Sequence, residues 1–475
     1  MQNDTIAAIA TPPGVGGIGV VRVSGPDAFS LVLPIFRQPG GRSELPPSHL
    51  LTYGRIIDPL TQEILDEVLV AFMRAPRTYT REDVVEILGH GGPLILRRIL
   101  RAVLSQGARM ANAGEFTLRA FLNGRLDLAQ AEAVMDLIDA QTEAGQRLAM
   151  QQLRGRLSTQ IQEARQAILG VIARIEASID FPEEDVPVPQ SAELQPLIAA
   201  AQRQVNELLA SADQGRLYRQ GLRTAIIGRP NVGKSSLLNA LLRAERAIVT
   251  PVAGTTRDTV EEVANIRGIP LHLIDTAGIT PTDDPVEQIG VQRSRAAAES
   301  ADVVLLVFDG SEPLSEKDRR VCEELHAMGF ASGNTEAGPS SHSRPVVVVV
   351  NKADQPRRVE LESLQTLWPG SALVATSTLT GEGLPELEKA IADLVLGGKM
   401  LTGETVLVTR TRHQDALRRT SAHLDAAVGA LEQGLALDFV SIDLRAAYDA
   451  LGEITGETAS DDLLDRIFSE FCIGK

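Results

Sequence analysis

The segment Gly228-Arg229-Pro230-Asn231-Val232-Gly233-Lys234-Ser235 constrains this chain more than any other, because its glycines sit between two differently patterned runs. The apolar Thr224-Ala225-Ile226-Ile227 precedes it and Ser236-Leu237-Leu238-Asn239-Ala240-Leu241 follows at helical spacing, which predicts a strand, a tight loop and a helix. Amides of such a loop converge on one point and make a cradle for an anion, a β-phosphate above all. Lys234 would add a point charge toward the β/γ-phosphates, and the Ser235 hydroxyl suits Mg²⁺, a hard cation that prefers oxygen.

Four further segments follow in the order a Ras-like GTPase uses them. Thr250-Pro251-Val252-Ala253-Gly254-Thr255-Thr256 offers Thr256 as a second hydroxyl for Mg²⁺, and Asp275-Thr276-Ala277-Gly278 follows the strand-like Leu271-His272-Leu273-Ile274. Asp275 would hold the metal through water. The five valines from Val346 to Val350 read as a buried parallel strand whose carboxyl end delivers Asn351-Lys352-Ala353-Asp354. Asp354 can accept both guanine N–H groups. Ser377-Thr378 stands where a Ser-Ala pair is usual, which leaves base contact through a backbone amide. GTP binding therefore rests on Asn231, Val232, Gly233, Lys234, Ser235 and Ser236, on residues 250–256 and 275–278, on Asn351 to Asp354, and on Ser377 and Thr378.

Ile279 departs from the Ras pattern, in which a glutamine after the third motif orients the attacking water. A hydrocarbon cannot do so. Hydrolysis needs another polar group and a positive charge near the leaving phosphate, and Asn231 and Glu287 are the nearby candidates. For Glu287 alone, a first-turn carboxylate favoured by the helix dipole is an equally ordinary reading.

At 475 residues the chain has room for about three domains, and the motifs occupy only residues 220–395. With 44% hydrophobic residues it can build full cores, and it contains no apolar run long enough to predict a membrane span. The opening Met1 to Thr5 lacks a basic region, and the two cysteines, Cys322 and Cys472, suit a reducing compartment, so the expectation is cytoplasmic. A net charge of −16 argues against a general nucleic-acid coat, although a tRNA can dock on a local basic patch. The clusters Arg97, Arg98, Arg101 and Arg410, Arg412, Arg418, Arg419 read most simply as solvated faces.

Residues 1–118 alternate turns with β-like runs such as Ile18 to Val23 and Val68 to Phe72 and predict an α+β domain. Residues 119–219 turn to helical spacing at Leu126, Ala129, Ala133, Val134, Leu137 and Ile138, interrupted at Phe181-Pro182-Glu183-Glu184-Asp185-Val186-Pro187. Helical spacing returns over 396–475, at Ala416, Leu417, Leu424, Ala427, Leu431 and Leu435 and again from Leu444 to Leu464. The simplest arrangement is a discontinuous helical domain with the Ras-like P-loop GTPase domain, 220–395, inserted in it. The Gly/Ser-rich stretch 331–345 reads as a surface insertion.

Thr11-Pro12-Pro13-Gly14, Gly89-His90-Gly91-Gly92, the run from Gly114 to Leu128 and the terminal Phe471-Cys472-Ile473-Gly474-Lys475 resemble the MnmE (TrmE) family of tRNA-modifying GTPases. The resemblance spans the chain. It implies a homodimer joined through amino-terminal folate-binding domains, working with the flavoprotein MnmG on tRNA. Together they would add a carboxymethylaminomethyl-type group to C5 of the wobble uridine, with the one-carbon unit from a 5-formyl or methylene tetrahydrofolate. It further implies a K⁺ held by Asn231, Thr250, Val252 and Thr255 in the place of an arginine finger, with Glu287 as the carboxylate that activates water. Folate contacts carry over to Arg22, Glu86, Arg125 and Lys475. Arg125 replaces a more usual lysine, and Arg81 replaces a more usual glycine, which puts the local turn in question.

Cys472 leaves two readings, a small buried apolar residue or a catalytic group beside the modification centre. A prenylation box is disfavoured by Gly474 and Lys475. A regulatory or ribosome-assembly switch would share the central motifs, but it has no use for the folate-side residues or for the tail.

Overall fold

The computed structural model describes residues 4–41, 44–180, 189–244, 262–274, 295–331, 344–396 and 406–475. The amino-terminal part is built on strands β1 (Ile6–Ile9), β2 (Gly16–Ser24), β3 (Phe36–Arg37), β4 (Leu51–Ile57), β5 (Ile64–Met73), β6 (Val84–Gly91) and β7 (Arg109–Met110), with helices α1 (Ala28–Val32) and α2 (Pro93–Ser105). Its sheet runs β3-β4-β5-β6-β2-β1-β7. The long β2, β5 and β6 alternate buried and more open positions, so one face carries Val21, Val23, Val70, Phe72, Val85 and Ile87 against α2. That alternation leaves Arg22 and Glu86, paired across β2 and β6, on the opposite face.

Helix α3 (Glu115–Leu122) leads into a helical layer made of α4 (Leu128–Ile138), α5 (Glu143–Leu153), α6 (Arg156–Asp180), α7 (Ser191–Ala210) and α8 (Ala212–Gln220). Asp127 and Gln130 close a reciprocal capping box at the start of α4, which satisfies two otherwise orphaned amides.

The nucleotide domain follows with β8 (Leu222–Ile227), α9 (Lys234–Ala244), β9 (Glu262–Ile266), β10 (Ile269–Ile274), β11 (Val303–Asp309), α10 (Glu316–Ala327), β12 (Phe330–Ala331), β13 (Arg344–Asn351), α11 (Leu361–Leu367), β14 (Leu373–Ala375) and α12 (Leu384–Leu396). Its strand order is β12-β13-β11-β8-β10-β9, with β14 also on β13, and every pairing is parallel except β9 with β10. All of β11 and the valines of β13 are buried, as a parallel sheet covered on both faces requires. The valine run is thus the strand that the sequence predicts.

Helices α13 (Thr411–Glu432), α14 (Leu437–Thr455) and α15 (Asp461–Ser469) complete the chain. One core joins Ile161, Ile168 and Ile175 of α6 and Ile198 and Val205 of α7 to Leu424 of α13 and Leu444 and Leu451 of α14. The helical layer is therefore discontinuous in sequence, with the nucleotide domain inserted in it. The pattern from Leu444 to Leu464 is two helices rather than one, broken where Gly456 takes a left-handed backbone (φ 91°) under Phe121.

Only half of the second arginine cluster is a solvated face. Arg410 and Arg412 are turned inward, onto the nearly inaccessible Glu132 and Asp136 of α4. Arg418 and Arg419 remain at the surface, paired with Asp415 and Glu453. In the first cluster Arg98 pairs with Glu63, and Arg97 bonds the carbonyl of Pro93.

Candidate functional site

The carboxyl ends of β8, β11, β13 and β14 open on one edge of the nucleotide sheet, where ligands of doubly wound sheets bind. The loop after β8 turns through Asn231 and Gly233, both left-handed (φ 67° and 99°). No side chain fits at Gly233, since a Cβ there would come within 2.1 Å of Asn351 Nδ2. Lys234, Ser235 and Ser236 form the first turn of α9, whose amides have no partners within the helix.

Lys234 Nζ donates to the carbonyls of Gly228 and Arg229, each at 2.9 Å. Burial pushes its ammonium pKa down, and among the described residues no carboxylate pairs with it. A half-buried cation folded back over its own loop, beside a free helix N-terminus, fits an anionic phosphate.

Asn351 ties the motifs together. Its Nδ2 donates to the carbonyl of Val232 at 2.9 Å, and its Oδ1 accepts the Thr378 amide at 3.3 Å. The next residue, Lys352, is left-handed (φ 64°) and bonds Asp309 Oδ2 at 2.6 Å, while Asp309 also accepts from the amide and hydroxyl of Ser311. Burial works against the Asp309 anion, yet Lys352 and Ser311 hold its pKa below the ordinary value. Ala353 donates its amide to Thr376. Asp354 is exposed, and the buried Ser377 donates to its Oδ1 at 2.6 Å, which orients the carboxylate and leaves Oδ2 for a ligand. The sequence does not reveal this role of Ser377, nor that of Asp309.

Thr250, Pro251, Val252, Ala253, Gly254, Thr255 and Thr256, Asp275 to Gly278, Ile279 and Glu287 lie outside the described residues, so only Asn231 of the expected K⁺ ligands and Ser235 of the expected Mg²⁺ ligands are placed.

A second constellation lies on the amino-terminal sheet. Arg22 Nε donates to Glu86 Oε1 at 2.9 Å, and Arg22 Nη1 reaches the carbonyl of Gly474, 452 residues away, at 3.3 Å. The tail is seated by an antiparallel bridge between Ala113 and Ile473 and by the Phe116 amide donating to Lys475 O at 3.2 Å. Gly474 is left-handed (φ 95°), and a Cβ there would lie 2.4 Å from the carbonyl of Ile9. Phe471 is buried with Phe468 and Leu128. Three of the four expected folate residues, Arg22, Glu86 and Lys475, thus converge from opposite ends of the chain. Arg125 joins them through Tyr79, whose ring lies 5.0 Å from its guanidinium carbon and 5.6 Å from that of Arg22. Phe116 also lies under Arg22, at 5.6 Å. Tyr79 and Phe116 carry no sequence signal of their own. A carboxylate beside cations and aromatic faces fits a flat ring bearing N–H donors and an anionic tail.

Cys472 is exposed, which removes the buried-packing reading. Arg81, standing where the resemblance expects glycine, keeps the turn by adopting the left-handed conformation itself (φ 59°), with its Nη1 on the Asn123 carbonyl at 2.9 Å.

Residues 5–125 match the domain described as GTP-binding protein TrmE N-terminus, and residues 128–472 match the MnmE helical domain. The chain belongs to the MnmE family. A relative described as tRNA modification GTPase MnmE from Chloroflexus aurantiacus is 52% identical over 478 residues, covering 100% of both chains. One of the same description from Geobacillus thermodenitrificans is 48% identical over 476 residues, again covering 100% of both. Among solved structures, Aquifex aeolicus Era bound to GDP and AlF₄⁻ is 28% identical, with 42% of this chain and 66% of that chain covered and a TM-score of 0.28. Among the described residues no helix is long and apolar enough to cross a membrane.

Proposed function

We propose that this chain is a K⁺-activated GTPase of tRNA modification. It acts as a homodimer with the flavoprotein MnmG and adds a carboxymethylaminomethyl-type group to C5 of the wobble uridine, using a tetrahydrofolate one-carbon donor. The observation that carries this reading is the docking of the carboxyl-terminal tail beside Arg22 and Glu86, in a chain whose described residues also include a phosphate loop with its lysine and an oriented Asp354. A switch that only bound and released partners would have no use for the first of these two sites.

Lys234 turns from its loop carbonyls to the β/γ-phosphates, and Asp354, held by Ser377, accepts the guanine N–H pair. Mg²⁺ on Ser235 and Thr256, and K⁺ on Asn231, Thr250, Val252 and Thr255, would supply positive charge against the transferring phosphoryl group. Glu287 takes the place of the missing glutamine and orients water. Arg22, Glu86, Arg125 and Lys475 hold the folate, and the exposed thiol of Cys472, three residues from Lys475, faces the modification chemistry.

The test pairs nucleoside analysis of tRNA from cells lacking this protein with GTP turnover in matched KCl and NaCl. Loss of the modified wobble uridine and turnover only with K⁺ are expected. Unchanged uridines would return the chain to a regulatory role, and equal turnover in Na⁺ would remove the potassium site.

A further inference from the structure

Beside the Arg22–Glu86 pair lies a cleft of about 460 Å³ whose walls include Arg77, Arg81 and Arg125 together with Pro76, Thr78 and Tyr79. No carboxylate lines it. In a chain of net charge −16 that is unusual, and it contrasts with the surrounding arginines: Arg22 is paired with Glu86, Arg55 with Glu67, Arg98 with Glu63, and Arg109 and Arg119 with Asp4 and Glu115. Among the described residues none of Arg77, Arg81 and Arg125 forms a salt bridge. Two of the three are held in place by carbonyls rather than by charge. Arg81 Nη1 donates to Asn123 O at 2.9 Å and Arg125 Nη1 to Thr78 O at 3.0 Å, so each keeps further N–H donors free.

Three guanidiniums facing one cleft repel one another unless an anion lies between them. The direction of the cleft names the anion. Tyr79 stands between Arg22 and Arg125, so the cleft runs on from the place where Glu86 offers its carboxylate. An acceptor for ring N–H groups at one end and uncompensated arginines at the other match a ligand with a flat donor ring and a polycarboxylate tail.

We propose that the Arg77–Arg81–Arg125 cleft binds the poly-γ-glutamyl tail of the folate and makes this site selective for polyglutamylated over monoglutamyl forms. The proposal rests on the folate reading of Arg22, Glu86 and Lys475. Each further γ-linked glutamate adds one free carboxylate, and the planar guanidinium takes such groups two bonds at a time. Arg81, where the family resemblance expects glycine, then adds a third cation to the cleft.

The experiment is equilibrium binding of 5-formyltetrahydrofolate with one and with five γ-linked glutamates to the full-length protein, and to the Arg77→Ala, Arg81→Gly double variant. The double variant keeps its turn, because glycine adopts the left-handed backbone of position 81 freely. The native protein is expected to hold the pentaglutamyl form about tenfold more tightly at low salt, with the ratio falling as KCl is raised. In the double variant the ratio should drop to near unity, with monoglutamyl affinity and GTP hydrolysis unchanged. Equal affinity of the native protein for the two tails overturns the proposal and leaves the folate reading standing. Binding of neither form overturns both. A double variant that keeps its preference for the long tail but loses affinity for tRNA would assign the cleft to an RNA backbone and also overturn the proposal.

Discussion

The two binding regions of this protein are assembled in opposite ways. The described part of the nucleotide cradle is built from local segments: Gly228 to Gly233 form one strand-to-helix loop, Lys234 to Ser236 open the helix after it, and Asn351 to Asp354 run on from the end of one strand. The constellation proposed for folate takes Arg22 from β2, Glu86 from β6, Arg125 from the turn after α3 and Gly474 and Lys475 from the tail. A local site needs only its own backbone path. A composite one needs three layers of the protein folded and docked, and its integrity depends on contacts far from the ligand.

The tail gives the largest separation between the two. Deleting Cys472 to Lys475 removes the bridge to Ala113 and the backbone acceptor of Arg22, while the nearest nucleotide residue is far along the chain. GTP hydrolysis should persist and formation of the modified wobble uridine should cease, measured on the same preparations with circular dichroism as the check on folding. Cys472→Ser should weaken modification more than hydrolysis. A truncated protein that modifies tRNA normally would remove the tail from the composite site.

The next effect lies in the helical layer that holds the two regions. Glu132, 2% exposed, receives Arg412 at 2.8 Å and His413 at 2.8 Å, and the neighbouring Asp136 binds both Arg219, just before β8, and Arg410, where the chain returns from the nucleotide domain. Removing one member of such a set strands the others, so Glu132→Ala should cost about 3–5 kcal/mol in denaturant unfolding. Burial alone would raise the Glu132 carboxyl, but His413, Arg412 and Arg410 outweigh it and hold it well below the carboxylate range. A depressed pKa of this kind stabilises fully above the unfolded value of about 4.3 and is lost as pH falls through the folded value. The stability gap between the native protein and Glu132→Gln should therefore be widest at neutral pH and narrow below about pH 4. A gap independent of pH would mean that Glu132 acts through packing.

A smaller loss is expected at the local site. Asp354→Asn puts an N–H or a weaker acceptor where the guanine N–H pair needs an anion, and GTP affinity should fall by about 2–3 kcal/mol, the worth of a charged hydrogen bond or two. Xanthosine triphosphate, whose base offers an acceptor in place of a donor, should bind this variant better than GTP. If Ser377→Ala gave the same loss as Asp354→Asn, orientation of the carboxylate rather than its charge would dominate, since Ser377 touches Asp354 Oδ1.

The contrast between the two regions also explains what the sequence reveals. The phosphate loop, the valine strand and the helical stripes are written as periodicity and spacing over a few residues, and they form the elements their patterns predict, except that Leu126 and Leu435 of the stripes lie in the turns before α4 and after α13. Tyr79 and Phe116, which line the composite site, look like any aromatic residue in a core until β2 brings Arg22 over them. Arg410 and Arg412 read as surface charge, because a sequence does not show that Glu132 interrupts the apolar stripe of α4 on the side they meet. Residue type alone leaves Cys472 between a buried apolar residue and a group beside the modification centre. Its exposure follows from the tail bridge at Ile473, a pairing across more than three hundred residues that no local signal encodes.

Arg81 supplies the finest test, because it is a non-glycine residue that takes a left-handed backbone where the family resemblance expects glycine. A left-handed backbone costs a non-glycine residue about 1–2 kcal/mol, which glycine would recover. Glycine also loosens the unfolded chain by about 0.4–1 kcal/mol and forfeits the bond to Asn123 O. These terms nearly cancel, so Arg81→Gly should shift stability by less than about 1 kcal/mol in either direction. Arg81→Val keeps the strain, adds a branched Cβ to a left-handed position and loses the same bond, and it should be the less stable variant by about 1 kcal/mol or more. Denaturant midpoints for the three proteins decide the matter. Equal midpoints for valine and glycine would mean that the turn yields to its sequence, and the composite site would then owe its shape at this edge to Arg125 and Thr78 rather than to the backbone at position 81.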